Sequence, residues 1–340
     1  MNSQIQYFNN LRALACFLVV LTHSAMPALD QSFGVFMVLI SVLSSPSSEL
    51  FVTMSSSLLA PTKQSQLDFY KRRFSKLLWP FLFWSVIILL ILFFQQRIDF
   101  QNLIQRILLI PFKPAHGVYW FVYVIMGLYL IIPVISPWLK SCTKREHQVM
   151  LALWGATLIW PLISVVFHVN IYNVEGSYYS TWAYVGGFIG YLLLGVYLRK
   201  FPIEFKTQGR LYLFCLGLVT LGTLPIAYGY AFNRPGIHTI TDNLSLSSAL
   251  YVMAIFVFVQ NVKFPVLLEN FCNVVAKYSF GIYLIHIIVI RDIIWSLLEN
   301  NRLPHPLIET PLIAVVSFFI CLAVVKLISY LPKSKYIIGV

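Results

Sequence analysis

Charged residues are scarce in this sequence: Asp, Glu, Lys and Arg together make up 11% of it, against roughly 25% in a soluble domain. So few cannot cover a water-facing surface, which excludes an ordinary soluble globular fold. Cysteine is scarce as well. Cys16, Cys142, Cys215, Cys272 and Cys321 stand far apart, with no C-x-x-C pair and no histidines at ligand spacing, so neither a disulfide framework nor a zinc site is signalled and no metal is expected. They are predicted to be packing residues. Repeats and low-complexity tracts are lacking, and the longest connections, around 96 to 117 and 232 to 243, are too short to hold a soluble core. A single integral-membrane domain over residues 1–340 follows.

What the sequence has in quantity is apolar surface. Hydrophobic residues reach 59%, with 27 Phe, 19 Tyr and 8 Trp, and mean hydropathy is +0.79. Runs of about 20 apolar residues, the length that crosses a hydrocarbon core of roughly 30 Å, occur at 9–28, 34–60, 76–95, 118–138, 147–168, 181–198, 210–231, 244–261, 274–297 and 309–331. The expected fold is all-α, polytopic, with about ten transmembrane helices in one bundle. The second run carries Pro46 and Glu49 and should be kinked or broken, because proline removes a helical donor and clashes with the preceding turn. Asn9, Asn10 and Arg12 precede a first run longer than a signal-peptide core, so that run is expected to be retained.

Lys and Arg alternate between the connections. With the N-terminus inside, the basic residues from Lys63 to Lys335 gather on that side, and only Arg97, Arg106, Lys113, Arg234 and Arg302 fall on the other. Both termini are therefore expected to be cytoplasmic. Asp30, Asp99, Glu175, Asp242, Glu299 and Glu309 lean outward. The net charge of +12 is then a topological signal, scattered among apolar runs, and a nucleic-acid partner is not expected.

An ionisable group within a bilayer costs roughly 2.5 to 3.5 kcal/mol on insertion scales, so each one is a functional candidate. Here they are Arg12, His23, Glu49, His286, Arg291, Asp292 and Lys326. Lys326 can snorkel to the surface, and Arg291 with Asp292 suits a structural pair. Arg12 and His23 are more informative. Eleven residues apart, they close three turns of helix to within about 20° and lie roughly 16 Å apart along its axis. Both are thus predicted on one face, Arg12 toward the cytoplasmic mouth, where a guanidinium can hold a phosphate bidentately, and His23 deeper. An imidazole with an ordinary pKa near 6.5 is suited to taking a proton from a hydroxyl.

The stretch from Arg12 to His23, L-R-A-L-A-C-F-L-V-V-L-T-H, resembles the Arg-x10-His signature of the integral-membrane acyltransferase family 3. Other segments follow in that family's order. Glu49 with F-V-T-M-S-S (51–56) resembles D-x-F-F-x-x-S-G, and Y-K-R-R-F-S-K-L-L-W-P (70–80) the basic R-F-x-R-x-x-P stretch. W-F-V-Y-V-I-M-G-L-Y-L-I-I-P (120–133) and S-F-G-I-Y-L-I-H (279–286) are similar to its W-F-L-x-x-L-x-x-L-Y-L-x-x-P and S-x-x-I-Y-L-x-H segments. Ser56 stands where the family usually has Gly, Lys76 where it often has Arg, and Glu49 where many members have Asp or Pro.

The resemblance implies a membrane O-acyltransferase of the bacterial inner membrane, multi-pass and without an appended soluble domain. Its donor would be cytoplasmic acetyl-CoA or another acyl-CoA, and its acceptor a glycan or lipid-linked saccharide. It implies that Arg12, with Lys71, Arg72, Arg73 and Lys76, holds the donor phosphates. His23 would act as general base or transient acyl carrier, Glu49 would orient it, and Ser55, Trp120, Tyr283 and His286 would line the cavity. A transporter or flippase of a polysaccharide or lipid-linked sugar would use the same intramembrane charges. A receptor or structural role finds no support beyond the spans themselves.

Overall fold

The computed structural model describes residues 3–26, 34–44, 46–167, 186–232, 242–298, 303 and 305–340. Among them every regular element is helical. In chain order these are α1 (Ser3–Ser24), α2 (Gly34–Ser44), α3 (Ser47–Leu59), α4 (Gln66–Phe94), α5 (Phe100–Leu109) and, after a 3-10 turn (Gly117–Tyr119), α6 (Trp120–Ser141). There follow α7 (Lys144–Thr157), α8 (Trp160–Phe167), α9 (Ile189–Lys200), α10 (Gln208–Ala231), α11 (Leu246–Asn261) and α12 (Val266–Ile288). A π turn (Val289–Ile294) leads from α12 into α13 (Trp295–Leu298), and α14 (Pro306–Ile328) and α15 (Lys335–Ile338) close the chain.

The sequence supplies the stops and starts. Pro46 stands as the N-cap of α3, so the run at 34–60 is divided there into α2 and α3. Ser65 caps α4 by accepting from the Asp68 N–H, Asp99 caps α5 through the Asn102 N–H, and Thr143 with Glu146 forms a capping box at α7.

Among the described residues six stretches are long and apolar enough to cross a membrane: Val38–Leu59, Gln66–Phe94, Gly117–Ser141, Gln208–Ala231, Val266–Leu298 and Pro306–Ile328. The protein is an all-helical membrane protein with about six such helices, fewer than the ten runs counted from hydropathy. The differences have visible causes. Helix α1 is long enough, but Gln4, Gln6, Asn9, Asn10 and Arg12 lower its apolarity; the run at 147–168 is split between α7 and α8; and α11 has only 16 residues. Residues 181–185 of the sixth run, most of the connection at 232–243, and Asp30, Glu175, Arg234, Glu299 and Arg302 lie outside the described residues.

Helix α1 runs through the interior, packed chiefly on α12 and also on α3 and α14, while α9 closes on α3. Outward faces are apolar: Leu213 and Leu216 on α10 and Phe319 on α14 are exposed, as side chains bathed by lipid are. The five cysteines are free, four of them buried. Hydrogen bonds tie several helix ends into one basic rim. There Gln6 Nε2 donates to the Glu269 carbonyl (3.3 Å), Arg199 Nη2 to the Ala60 carbonyl (2.8 Å) and Lys200 Nζ to the Cys142 carbonyl (3.1 Å). The start of α4, with its Lys and Arg run, lies at this same end, since Ala60 closes α3 just ahead of it.

Candidate functional site

The helical period places Arg12 and His23 on one side of α1, and the structure gives that side two chambers placed end to end. The first, about 270 Å³, is lined by Arg12 of α1, Ser55 of α3, Arg73 and Lys76 of α4, Tyr129 of α6 and Lys277 of α12. Four cationic side chains thus converge on one cavity whose lining includes no Asp or Glu side chain. The described residues hold a single ion pair, Arg291 with Asp292, so none of the four is neutralised by a neighbour. Arg73 Nε is buried without a hydrogen-bond partner among the described residues. Such a cavity suits an anion, because four cations share it and no Asp or Glu side chain lines it.

Part of that chamber's wall comes from the chain's last residues. Trp84 Nε1 donates to the Ile337 carbonyl (2.9 Å), which fixes α15 against α4 and brings Gly339 and Val340 to the cavity. Gly339 has a left-handed backbone (φ 77°), and a Cβ there would come within 2.9 Å of the Phe280 ring, so glycine is required both by conformation and by space.

The second chamber, about 210 Å³, is lined by His23 and Thr22 of α1, Ser47 and Ser48 of α3, Trp120 of α6 and Asn243 ahead of α11. Its walls are hydroxyls, a carboxamide and an indole, groups that hydrogen-bond and stack on polyhydroxylated molecules. Phe121 and Tyr283 line both chambers. Their rings lie 5.8 Å apart, and the Tyr283 hydroxyl donates to the Val118 carbonyl, so the partition is aromatic and held at one edge.

Around His23 the polar contacts are few. Its Nδ1 meets Met26 Sδ at 3.3 Å, and its ring lies 5.0 Å from that of His286. His116 stands in the loop ahead of the 3-10 turn, as its N-cap. Burial first, and the Arg291 charge second, push the His116 imidazole down to about 4, so at neutral pH it adds no charge here.

The predicted residues therefore divide. Arg12, Arg73, Lys76 and Ser55 meet in the first chamber, His23 and Trp120 in the second, and Tyr283 stands between them. Arg72 is exposed and lines neither. His286 is fully buried behind Tyr283 and lines neither. Glu49 is also fully buried, with both carboxylate oxygens lacking a hydrogen-bond partner among the described residues. It makes no hydrogen bond to His23: Ser47 and Ser48 face the chamber, and one further residue turns the helix by about 100°. Lys277 and Tyr129 join the first chamber without having been singled out. Tyr129 stands within the 120–133 segment, whereas Lys277 carried no signal beyond its place on the basic side.

A wider recess of about 770 Å³ opens at the basic rim, among Gln6, Asn10, Arg199, Gln260 and Asn273, and contains none of the predicted site residues.

A protein-family model described as an acyltransferase domain matches residues 5–328, nearly the whole chain. No curated protein and no solved structure matches it.

Proposed function

The chain belongs to acyltransferase family 3, and from that premise we propose that it moves an acetyl or other small acyl group from cytoplasmic acyl-CoA to a hydroxyl of a glycan or lipid-linked saccharide. The observation that carries this reading is the pairing of chambers: four cations in one, a histidine among hydroxyls in the other, and Phe121 and Tyr283 in the walls of both. In this reading the protein lies in a bacterial inner membrane with both termini cytoplasmic. The basic rim faces the cytosol, the short and polar helices supply the crossings beyond the six apolar ones, and the first chamber takes the phosphates of the donor. The thioester extends past the aromatic partition to His23. As general base, His23 takes the acceptor hydroxyl's proton while that oxygen attacks the thioester carbonyl; the carbon–sulfur bond breaks, and the departing thiolate receives the proton from the imidazolium. As acyl carrier, the same imidazole attacks the thioester carbonyl first and the carbon–sulfur bond breaks to release the thiolate; the acceptor oxygen then attacks the acyl-imidazole, the carbon–nitrogen bond breaks, and the hydroxyl's proton goes to the thiolate.

Inverted membrane vesicles supplied with radiolabelled acetyl-CoA test the proposal. Label appearing in glycan or lipid-linked saccharide supports it; uptake of a saccharide without transfer of label supports a transporter instead. Mass spectrometry of glycans from cells with and without the gene then names the acceptor by a shift of one acyl group.

Two substitutions probe the chambers separately. Arg12→Lys keeps the charge but loses the planar fork, and a charge-assisted hydrogen bond is worth about 1.5 to 3 kcal/mol. The KM for acetyl-CoA should rise about tenfold with kcat little changed, and an unaltered dependence of rate on donor concentration would count against phosphate holding. Phe121→Ala opens the partition. If that wall limits the acyl chain, the ratio of kcat/KM for butyryl-CoA over acetyl-CoA should rise roughly tenfold, the scale of one or two methylenes in an apolar pocket; an unchanged ratio places chain selection elsewhere.

A further inference from the structure

His286 occupies the last turn of α12, completely buried. Its Nδ1 lies 2.5 Å from the Tyr283 carbonyl oxygen. A carbonyl only accepts, so the hydrogen-bond network assigns the proton to Nδ1 and leaves a lone pair on Nε2. That nitrogen is buried and has no hydrogen-bond partner among the described residues, a state that costs about 1 to 3 kcal/mol unless something compensates it. The neighbouring phenols are already committed, Tyr283 to the Val118 carbonyl and Tyr119 to the Leu284 carbonyl (2.7 Å). The titratable groups acting on His286 are His23 and His116. Of these His23 is in ring contact, at 5.0 Å with the planes tilted by 40°, while the Nδ1 of His116 accepts the Val118 N–H (3.3 Å). The Arg291–Asp292 pair on the following π turn is closed on itself and on Gln95.

Resting on the acyl-transfer reading above, we propose that His286 is the positioning residue of His23: its Nε2 lone pair accepts the Nε2–H of His23, leaving His23 Nδ1 to meet the acceptor hydroxyl. Among the described residues His23 Nδ1 meets Met26 Sδ, a weak acceptor on a half-exposed side chain that a hydroxyl can displace. In the step itself the hydroxyl proton moves to His23 Nδ1, and the resulting imidazolium is held by the neutral His286 ring until the thiolate takes a proton back. Nothing is oxidised or reduced, and His286 keeps its own proton throughout. An aromatic or aliphatic side chain at 286 would fill the space but leave the imidazolium without an acceptor in a setting where a lone charge is expensive.

The test compares His286→Phe, His286→Gln and His23→Ala in inverted vesicles given radiolabelled acetyl-CoA, with rates expressed per molecule of membrane-inserted protein. Phe removes the acceptor at similar volume; Gln restores one. His286→Phe should lower kcat at least about tenfold with the KM for acetyl-CoA unchanged, the scale on which a histidine suffers when the group orienting it is lost, and His286→Gln should recover most of that loss. Equal impairment in both, or a raised KM at unchanged kcat, would overturn the assignment in favour of packing or of donor contact. Wild-type rates in His286→Phe alongside a dead His23→Ala would sink this inference alone, whereas full transfer by His23→Ala would remove the reading it rests on.

Discussion

Replacement of His23 by alanine is expected to reduce acyl transfer by about 10²- to 10⁴-fold, the contribution of a positioned general acid–base group, or to abolish it if the histidine carries the acyl group. The protein should still reach the membrane in normal amount. His23 lies at the end of α1 and faces a chamber; its hydrogen-bonding and ring partners among the described residues are the Met26 sulfur and the His286 ring. Truncation enlarges that chamber without opening a sealed core, so the cavity cost of a buried large-to-small change is largely avoided. Transfer measured with labelled acetyl-CoA, beside an immunoblot of the membrane fraction, checks both halves. Near-normal transfer would take His23 out of the chemistry. Loss of transfer together with loss of protein would show a structural role instead, which the half-open surroundings of the ring argue against.

The pair at 12 and 23 was legible because a helix fixes direction along its own axis: eleven residues return to the same face whatever the neighbours are. The break at Pro46 was legible for a similarly local reason, a missing donor and a ring that clashes with the turn before it. Which neighbour a face meets is not local. Glu49 and Ser48 are adjacent in sequence, yet Ser48 lines the histidine chamber and Glu49 turns away from it, so a plausible histidine–carboxylate pair did not form. Within the basic stretch, Arg73 and Lys76, three apart, line the first chamber while Lys71 and Arg72 do not. That division follows from the helical period once 70–80 is known to be helix. The contribution of the last residues to the first chamber had no sequence signal, because it depends on long-range docking: the Trp84 hydrogen bond to the Ile337 carbonyl and the burial of Ile338. The span count differed because hydropathy registers apolar length, and α1 and α11 lie inside the bundle with polar residues or short lengths that a lipid-facing helix would not have.

Gly195→Val should be the most damaging substitution outside the chambers. Helix α9 lies so close to α3 that a Cβ at 195 would run into the Thr53 carbonyl and stand 2.8 Å from Ser57 Oγ. Neither can yield cheaply: the carbonyl is backbone and already accepts the Ser57 hydroxyl at 2.8 Å, and Thr53 and Ser57 are fully buried. Close approach of this kind is how small residues let membrane helices pack when lipid supplies little hydrophobic drive for association. A branched side chain must push α9 off α3, at about 3 kcal/mol or more, the upper range for overpacking. By the scaling for chains of 150 to 250 residues that is a fall in Tm of roughly 6 to 12 °C. Activity should fall with it, since the same α3 carries Phe51 and Ser55 into the first chamber and Ser47 and Ser48 into the second. Gly217→Ala on α10 is the control, because a Cβ there meets nothing within 4 Å and alanine is the better helix former by about 1 kcal/mol. Thermal melts of the detergent-solubilised protein decide the matter: a Gly195→Val midpoint equal to that of Gly217→Ala would mean that α9 and α3 are not held in this contact, and with it the shared wall of the two chambers would lose its support.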